Sequence, residues 1–436
     1  MQTSLSTTIP SIHLRRLRSW MSAADASGPI STNQPSTGLP FQRWFKFKEA
    51  FAPQLVLDVL RDSERTGVER CLDPFGGCGT TGLTCQFAGV HPVLIEVNPF
   101  IADLAEAKLA TYNPDALSRD FVLVRDKTRE RLTVDMRSLA AAPQTLCEPG
   151  DGARWLFPKT VLTRLLQYRE AIEQLEDFTN RRLLRVLLGS VVVGVSNATV
   201  NGKGRKYRGS WMEQQRTAKD VDQNFHAAFL NAISDIQRYG VRPTPTYELL
   251  RGSCLQKIAD VEPCDLAVFS PPYPNSFDYT DIYNLELWVL GYLKTKADNR
   301  ALRQATLRSH IQAGGQYSYV TAKSAMLREL LQDLSSQRDE LWDERLPDMV
   351  GAYFEDMQKL LAQLRTTLKP GGRAVIVIGE SCYAGTKVRA GHITAQIARS
   401  AGFSVKRHTR LRTMRVSAQQ GGERELEERL VELVND

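Results

Sequence analysis

The feature that most constrains this chain is a ten-residue turn, Asp73-Pro74-Phe75-Gly76-Gly77-Cys78-Gly79-Thr80-Thr81-Gly82. It stands between the apolar run Val68–Leu72 and a helical stretch that opens at Thr80. Glycines let a backbone come close to a ligand, and the first N–H groups of a helix have no partner within it. A strand-turn-helix unit of this composition therefore favours an open α/β sheet, with something small and polar bound at the strand end.

The surrounding chain keeps the same rhythm. Pro92–Ile95 leads into a helix from Pro99, and Asp265–Phe269 runs into another turn. A helix over Asp348–Leu368, the turn Lys369-Pro370-Gly371-Gly372 and the strand Arg373–Ile378 follow. This alternation predicts a mostly parallel sheet with helices on both faces. Two segments interrupt it. Residues 112–245 are mainly helical in pattern, most clearly at Val161–Leu175 and Arg181–Val195, and residues 282–345 are polar and partly helical. Both are too long for simple connections and are expected to form an additional lobe or lid. Residues 1–39, rich in Ser, Thr, Pro and Gly, read as a flexible arm with a short helix around Ile12–Met21.

With 436 residues, 42% of them apolar and 24% charged, the chain has the make-up of a soluble globular protein with a sizeable core. No apolar run approaches the ~20 residues of a membrane span, and the N-terminal arginines are not followed by the apolar block of a secretory signal. A cytosolic location is expected. Seven cysteines without a Cys-x-x-Cys pair or a nearby histidine cluster suggest neither a disulfide framework nor a metal site. The net charge of +7 suits a polyanionic partner, because basic side chains that neutralise phosphates release counterions.

The glycine turn alone leaves its ligand open. Gly77, Gly79 and Gly82 spell G-x-G-x-x-G, and Glu96 follows at the end of the next strand, placed to hydrogen-bond ribose hydroxyls. That pattern serves a nicotinamide oxidoreductase as well as a methyltransferase, and a tight turn without a ligand would also satisfy it. A second turn breaks the tie. The strand Asp265–Phe269 ends in Ser270-Pro271-Pro272-Tyr273. Two prolines in succession hold a rigid turn that offers carbonyl acceptors without competing N–H donors. A substrate NH₂ bonded to the Ser270 side chain and the Pro271 carbonyl would have its lone pair drawn out of conjugation and aimed at an electrophile. Tyr273 is suited to stack on a base; the bland alternative is a loop terminator with a packing tyrosine.

Together the Asp-Pro-Phe-x-Gly-x-Gly-Thr-Thr loop and the Ser-Pro-Pro-Tyr turn resemble the DNA amino-methyltransferase family. The resemblance covers about residues 43–110, 246–285 and 348–416. It implies a Rossmann-like class I methyltransferase fold: an α/β, seven-stranded, mostly parallel sheet with one antiparallel strand near its edge, here carrying helical insertions. It assigns Asp73, Phe75, Gly77, Gly79, Thr80 and Thr81 to S-adenosylmethionine, Glu96 to its ribose and Ser253 to its adenine. The segment Trp44–Pro53 is similar to one that closes over the methionine moiety, or else is an aromatic edge under the sheet. The implied division is an arm at 1–39, a cofactor-binding half at 40–111, an insertion at 112–245 suited to target recognition, the catalytic strand and turn at 246–281, a second insertion at 282–345, and C-terminal strands with a closing hairpin, beginning at Gly402-Phe403, at 346–436.

Ser at the first position of the turn tilts the implied target toward cytosine N4, with adenine N6 as the alternative. C5 methylation would need a cysteine in a Pro-Cys turn at this strand's end, and Pro263-Cys264 lies at its other end. DNA is the expected partner, its target base flipped out, and a cognate restriction nuclease is an open one. Lys203, Arg205, Lys206 and Arg208 form the densest basic loop, with Lys406, Arg407, Arg410, Arg412 and Arg415 as a second stretch. Asp278, Tyr279 and Asp281 follow the turn and are placed to shape the base site; alternatively Asp278 or Asp281 caps the helix running through Leu285–Leu290. An RNA base methyltransferase of the same fold and a catalytically silent nucleic-acid-binding subunit are the remaining alternatives.

Overall fold

The computed structural model describes residues 11–22, 24, 28–62, 67–130, 134, 136–201, 204–313, 317–320, 323–414 and 425–436. Its centre is a seven-stranded sheet. We number the strands β1 (Arg70–Asp73), β2 (His91–Glu96), β3 (Glu248–Arg251), β4 (Cys264–Phe269), β5 (Leu368–Gly379), β6 (Ser404–Met414) and β7 (Leu426–Val434). They lie in the order β6-β7-β5-β4-β1-β2-β3, and only β7 runs antiparallel to its neighbours.

Alternation along the strands sorts side chains onto two faces. Leu72, Ala267, Phe269 and Ile376 meet the long helix Leu346–Thr367 and the helix Ala390–Ser400. Cys71, Leu266, Val268 and Val375 meet the helix Pro53–Asp62 on the other face. Burial on both faces explains why β4 reads as an unbroken apolar run. The Lys369–Gly372 turn survives as an excursion inside β5: Leu368 pairs with Cys264 and Arg373 with Leu266, so the residues between them loop out.

The insertions do not stand apart as a separate lobe. In the first, the helices Pro114–Arg129, Lys159–Glu173, Phe178–Val192 and Ala218–Tyr239 share one continuous core with Phe87 and Phe100 from the helices Thr80–Ala88 and Pro99–Leu109. Gly189 permits this close approach: a Cβ there would come within 2.6 Å of the Phe100 ring. The second is divided, Leu285–Leu293 joining that core and Leu307–Leu346 joining the opposite one.

The short helix expected around Ile12–Met21 is present as Ser11–Met21. The reading of the surrounding arm as flexible is corrected for the described part, because Trp20 is fully buried and stacked on Phe87 at 4.4 Å. Its indole N–H donates to the Pro40 carbonyl at 3.1 Å. Polar composition masked one large aromatic anchor. Among the described residues no helix is long and apolar enough to cross a membrane.

Candidate active site

The sheet topology brings the carboxyl ends of β1, β2 and β4 side by side, and a cavity of about 400 Å³ opens above them. Asp73, Phe75, Gly77, Thr80, Glu96, Ser253, Ser270, Pro271, Pro272 and Tyr273 all line it. The sequence places eight of these residues on the two turns, Glu96 at the end of β2 and Ser253 just after β3, and the fold joins all four places in one site.

The glycine turn is held by carboxylates rather than by packing alone. Glu96 accepts from the Gly77 N–H at 2.8 Å with one oxygen and from the Asn98 N–H at 2.8 Å with the other. Asp73 accepts from the Phe75 N–H at 3.0 Å and the Thr81 hydroxyl at 2.7 Å. Burial pushes both carboxyls up to about 7. Gly77 and Gly79 sit at φ +49° and +79°, and a Cβ on Gly79 would meet the Ala105 backbone at 3.1 Å. Gly79 and Thr81 do not reach the cavity. One makes the turn and the helix contact; the other orients Asp73.

Beneath the turn lies a residue that the helical pattern concealed. Lys108 is fully buried, and its ammonium donates to the Cys78 carbonyl at 2.9 Å and to the Gln42 side chain at 3.0 Å. Burial lowers its pKa.

The segment at Trp44–Pro53 closes the opposite wall, with Phe47, Lys48, Glu49, Ala50 and Phe51 lining the cavity. Phe47 stacks on Tyr283 at 5.3 Å, 5° from parallel, and would touch a Cβ on Gly77 at 3.4 Å. The Tyr283 hydroxyl donates to Glu49, whose carboxyl burial raises. Lys48 donates to the Val200 carbonyl at 3.0 Å.

Around the second turn, Ser270 donates to the Tyr273 hydroxyl at 3.4 Å, and Tyr273 donates to Glu428 on β7 at 2.8 Å. Arg412 on β6 clamps Glu428 at 2.6 Å and also donates to Ser31 at 3.1 Å. The Tyr273 ring lies on Gly379, where a Cβ would come within 2.5 Å of it. The Pro274 carbonyl accepts from Ser381 at 2.6 Å and Tyr383 at 2.8 Å. Tyr273 is thus fastened at its hydroxyl and by its ring contact, and the turn is rigid by cross-links as well as by its prolines.

The second insertion supplies a further wall through Thr306, Leu307, Ser309 and His310. It is tied to the turn by the Ser276 N–H donating to the Ser309 carbonyl at 3.0 Å and by Arg303 bonding Asp278 at 2.6 Å. The Ser309 hydroxyl is buried and has no hydrogen-bond partner among the described residues. Asp278 caps the short helix Tyr279–Ile282, accepting from Thr280 and Asp281, and not the helix Asn284–Val289, while Tyr279 lines the cavity.

The basic loop is an antiparallel hairpin, Ala198–Asn201 with Gly204–Tyr207. Lys203 lies outside the described residues. Lys206 is exposed, whereas Arg205 pairs with Asp281 at 3.4 Å. Arg208 turns inward and donates to the carbonyls of Val193, Gly194 and Ala198 at 2.9–3.2 Å. These bonds tie the chain just past the helix Phe178–Val192 to the first hairpin strand, whereas Lys206 faces solvent. In the second basic stretch Arg407, Arg410 and Arg412 are paired with Glu432, Glu427 and Glu428 across the hairpin; Arg415 lies outside the described residues.

No family model matches the chain. It is 26% identical over 410 residues, 87% of this chain and 83% of the relative, to Type II methyltransferase M.AvaI of Nostoc sp. (strain PCC 7120 / SAG 25.82 / UTEX 2576). It is 23% identical over 439 residues, 89% of this chain and 84% of the relative, to Type II methyltransferase M.BsoBI of Geobacillus stearothermophilus. A shorter match, 34% over 84 residues, covers 19% of this chain and 16% of Type II methyltransferase M.MjaII of Methanocaldococcus jannaschii. Similarity along most of both chains supports a methyltransferase and weighs against the nicotinamide reading of the glycine turn.

Proposed function

We propose that this chain is a site-specific DNA methyltransferase acting on the exocyclic N4 amino group of cytosine, with S-adenosylmethionine as donor. The observation that carries the reading is the meeting of the Asp73 and Glu96 carboxylates with the Ser-Pro-Pro-Tyr turn on one cavity. The relatives, all Type II methyltransferases, support the reaction class, and the strand order with its single antiparallel strand supports a Rossmann-like class I fold.

S-adenosylmethionine supplies the methyl group from a positively charged sulfonium and leaves as a neutral thioether. The donor set suits such a molecule. Asp73 offers negative charge toward a cation, and Glu96 keeps lone pairs for ribose hydroxyls beyond the two amides it already accepts. Phe75 and Phe47 enclose the apolar part, and Ser253 lies where an adenine contact is expected.

The Ser270 side chain and the Pro271 carbonyl accept the two amino hydrogens, while fixed Tyr273 gives the base a surface to rest on. A base reaches these groups only after flipping out of the duplex. Lys203 and Lys206 hold phosphate, the first insertion recognises the target, and Ser270 in place of Asp or Asn favours cytosine over adenine. The natural setting is a cytosolic restriction-modification pair with a cognate nuclease.

Incubation with unmethylated genomic DNA and methyl-labelled S-adenosylmethionine, then nucleoside mass spectrometry, tests this. Label in N4-methylcytosine is expected. Label in N6-methyladenine would overturn the choice of base but keep the chemistry. In a parallel incubation with RNA, label there and none in DNA would overturn the DNA substrate, and cofactor binding without any label would favour the silent subunit.

A further inference from the structure

Adding a methyl group to an exocyclic amino nitrogen leaves that nitrogen with one proton too many, and the proton needs a route away from the base. The cavity contains an ordered one. Ser270 donates its hydroxyl proton to Tyr273 at 3.4 Å, and Tyr273 donates its own to Glu428 at 2.8 Å. Glu428 is 2% exposed, and Arg412 holds it as an acceptor through bonds of 2.6 and 3.2 Å. Because both hydroxyl protons point toward the carboxylate, the Ser270 oxygen meets a substrate in the cavity with lone pairs. A serine free to rotate would offer donor or acceptor equally.

We propose that Glu428, with Tyr273 as the link, is a positioning residue that fixes Ser270 as an acceptor and receives the proton released from the methylated amino group. The inference rests on the methyl-transfer reading above. The N–H bond breaks with its electron pair staying on nitrogen. That proton goes to Ser270, the Ser270 proton to Tyr273, and the Tyr273 proton to Glu428, which ends neutral; no oxidant, reductant or further reactant takes part. Chains of this kind polarise one another, so the carboxylate strengthens the acceptor two bonds away. The charged or titratable groups facing Glu428 are Arg412 from β6, and Tyr273 and Tyr279 from the turn side.

The experiment compares the full-length protein with Glu428→Gln, Tyr273→Phe and the double variant, using DNA that the unaltered protein labels. Glu428→Gln is expected to lower kcat about 10²-fold, the scale of a lost proton acceptor. KM for the cofactor and its calorimetric Kd should stay within about twofold, since Glu428 acts on the proton of the amino group and not on the methyl donor. The double variant should be no slower than Tyr273→Phe alone. An unchanged kcat in Glu428→Gln, or losses that multiply in the double variant, would overturn the inference while leaving methyl transfer intact. Absence of transfer by the unaltered protein would instead overturn the proposed function.

Discussion

The ammonium of Lys108 donates to the carbonyl of Cys78 at 2.9 Å from a position with no exposure to solvent. A positive charge is therefore spent on the underside of the glycine turn. Replacing it by Met removes a costly buried ion but leaves two acceptors without a donor, each worth about 1–3 kcal/mol. These effects oppose one another, so Lys108→Met is expected to melt within a few degrees of the unaltered protein. The turn loses its support, and cofactor Kd should rise about tenfold, equivalent to about 1.4 kcal/mol. Calorimetric titration beside a thermal scan checks both; an unchanged Kd would show that the lysine serves packing only.

Asp73 and Glu96 titrate near 7 because burial opposes their charge. Below that pH they bind protons, and a cationic cofactor favours the ionised form. Affinity should therefore rise as pH increases through about 7 and level off above it, by up to about tenfold per pH unit for each proton released. The same shift makes a stability contribution that is present in acid, below the unfolded value near 4, and lost as pH rises through 7. Titrations in buffers of different ionisation enthalpy on each side of pH 7 would reveal the proton release. Asp73→Asn should weaken binding and reduce the slope.

Gly379 has no chemistry of its own, yet it gives Tyr273 its seat. Gly379→Ala puts a methyl group into the ring, an overpacking cost of about 1–3 kcal/mol. Methyl transfer should fall at least tenfold with cofactor Kd unchanged, as with Ser270→Ala. Loss of cofactor binding instead would mean that the two turns are not independent.

Trp20 tests the corrected arm. Trp20→Ala should cost about 3–5 kcal/mol, as for a buried aromatic truncated in a core. A urea midpoint that did not move would return this helix to the status of an appendage.

Lys206 and Arg208 are close in sequence and differently placed, one exposed and one bonded to backbone carbonyls. Lys206→Ala should lower the salt dependence of DNA affinity by about one unit of log–log slope. Arg208→Ala should leave the slope and lower the unfolding midpoint, since the carbonyls of Val193, Gly194 and Ala198 each lose a charged donor. Equal salt slopes for all three proteins would remove Lys206 from the DNA contacts.

How much was legible follows from the range of the interactions. The two turns are local signatures, and their placement at strand ends follows from apolar runs on either side of them. Glu428 was not legible. Leu426, Leu430, Leu433 and Val434 recur at helical spacing, so β7 does not announce itself as a strand, and nothing local marks one of its glutamates as buried. Only pairing against β5 and β6 turns Glu428 inward. Lys108 was hidden likewise, in a helix whose outer side the first insertion covers. The cavity wall from Thr306 to His310 depends on where a long insertion returns, which no local pattern specifies.

The strand order also sets a timetable. β7 is the latest of the seven strands in the chain, yet it lies inside the sheet, between β5 and β6. During synthesis the glycine turn and the Ser-Pro-Pro-Tyr turn emerge long before the strand that fastens Tyr273, and such distant pairings form slowly. A nascent chain could therefore assemble a place for its cofactor while its catalytic turn was still loose, so competence to modify a base would arrive late and all at once.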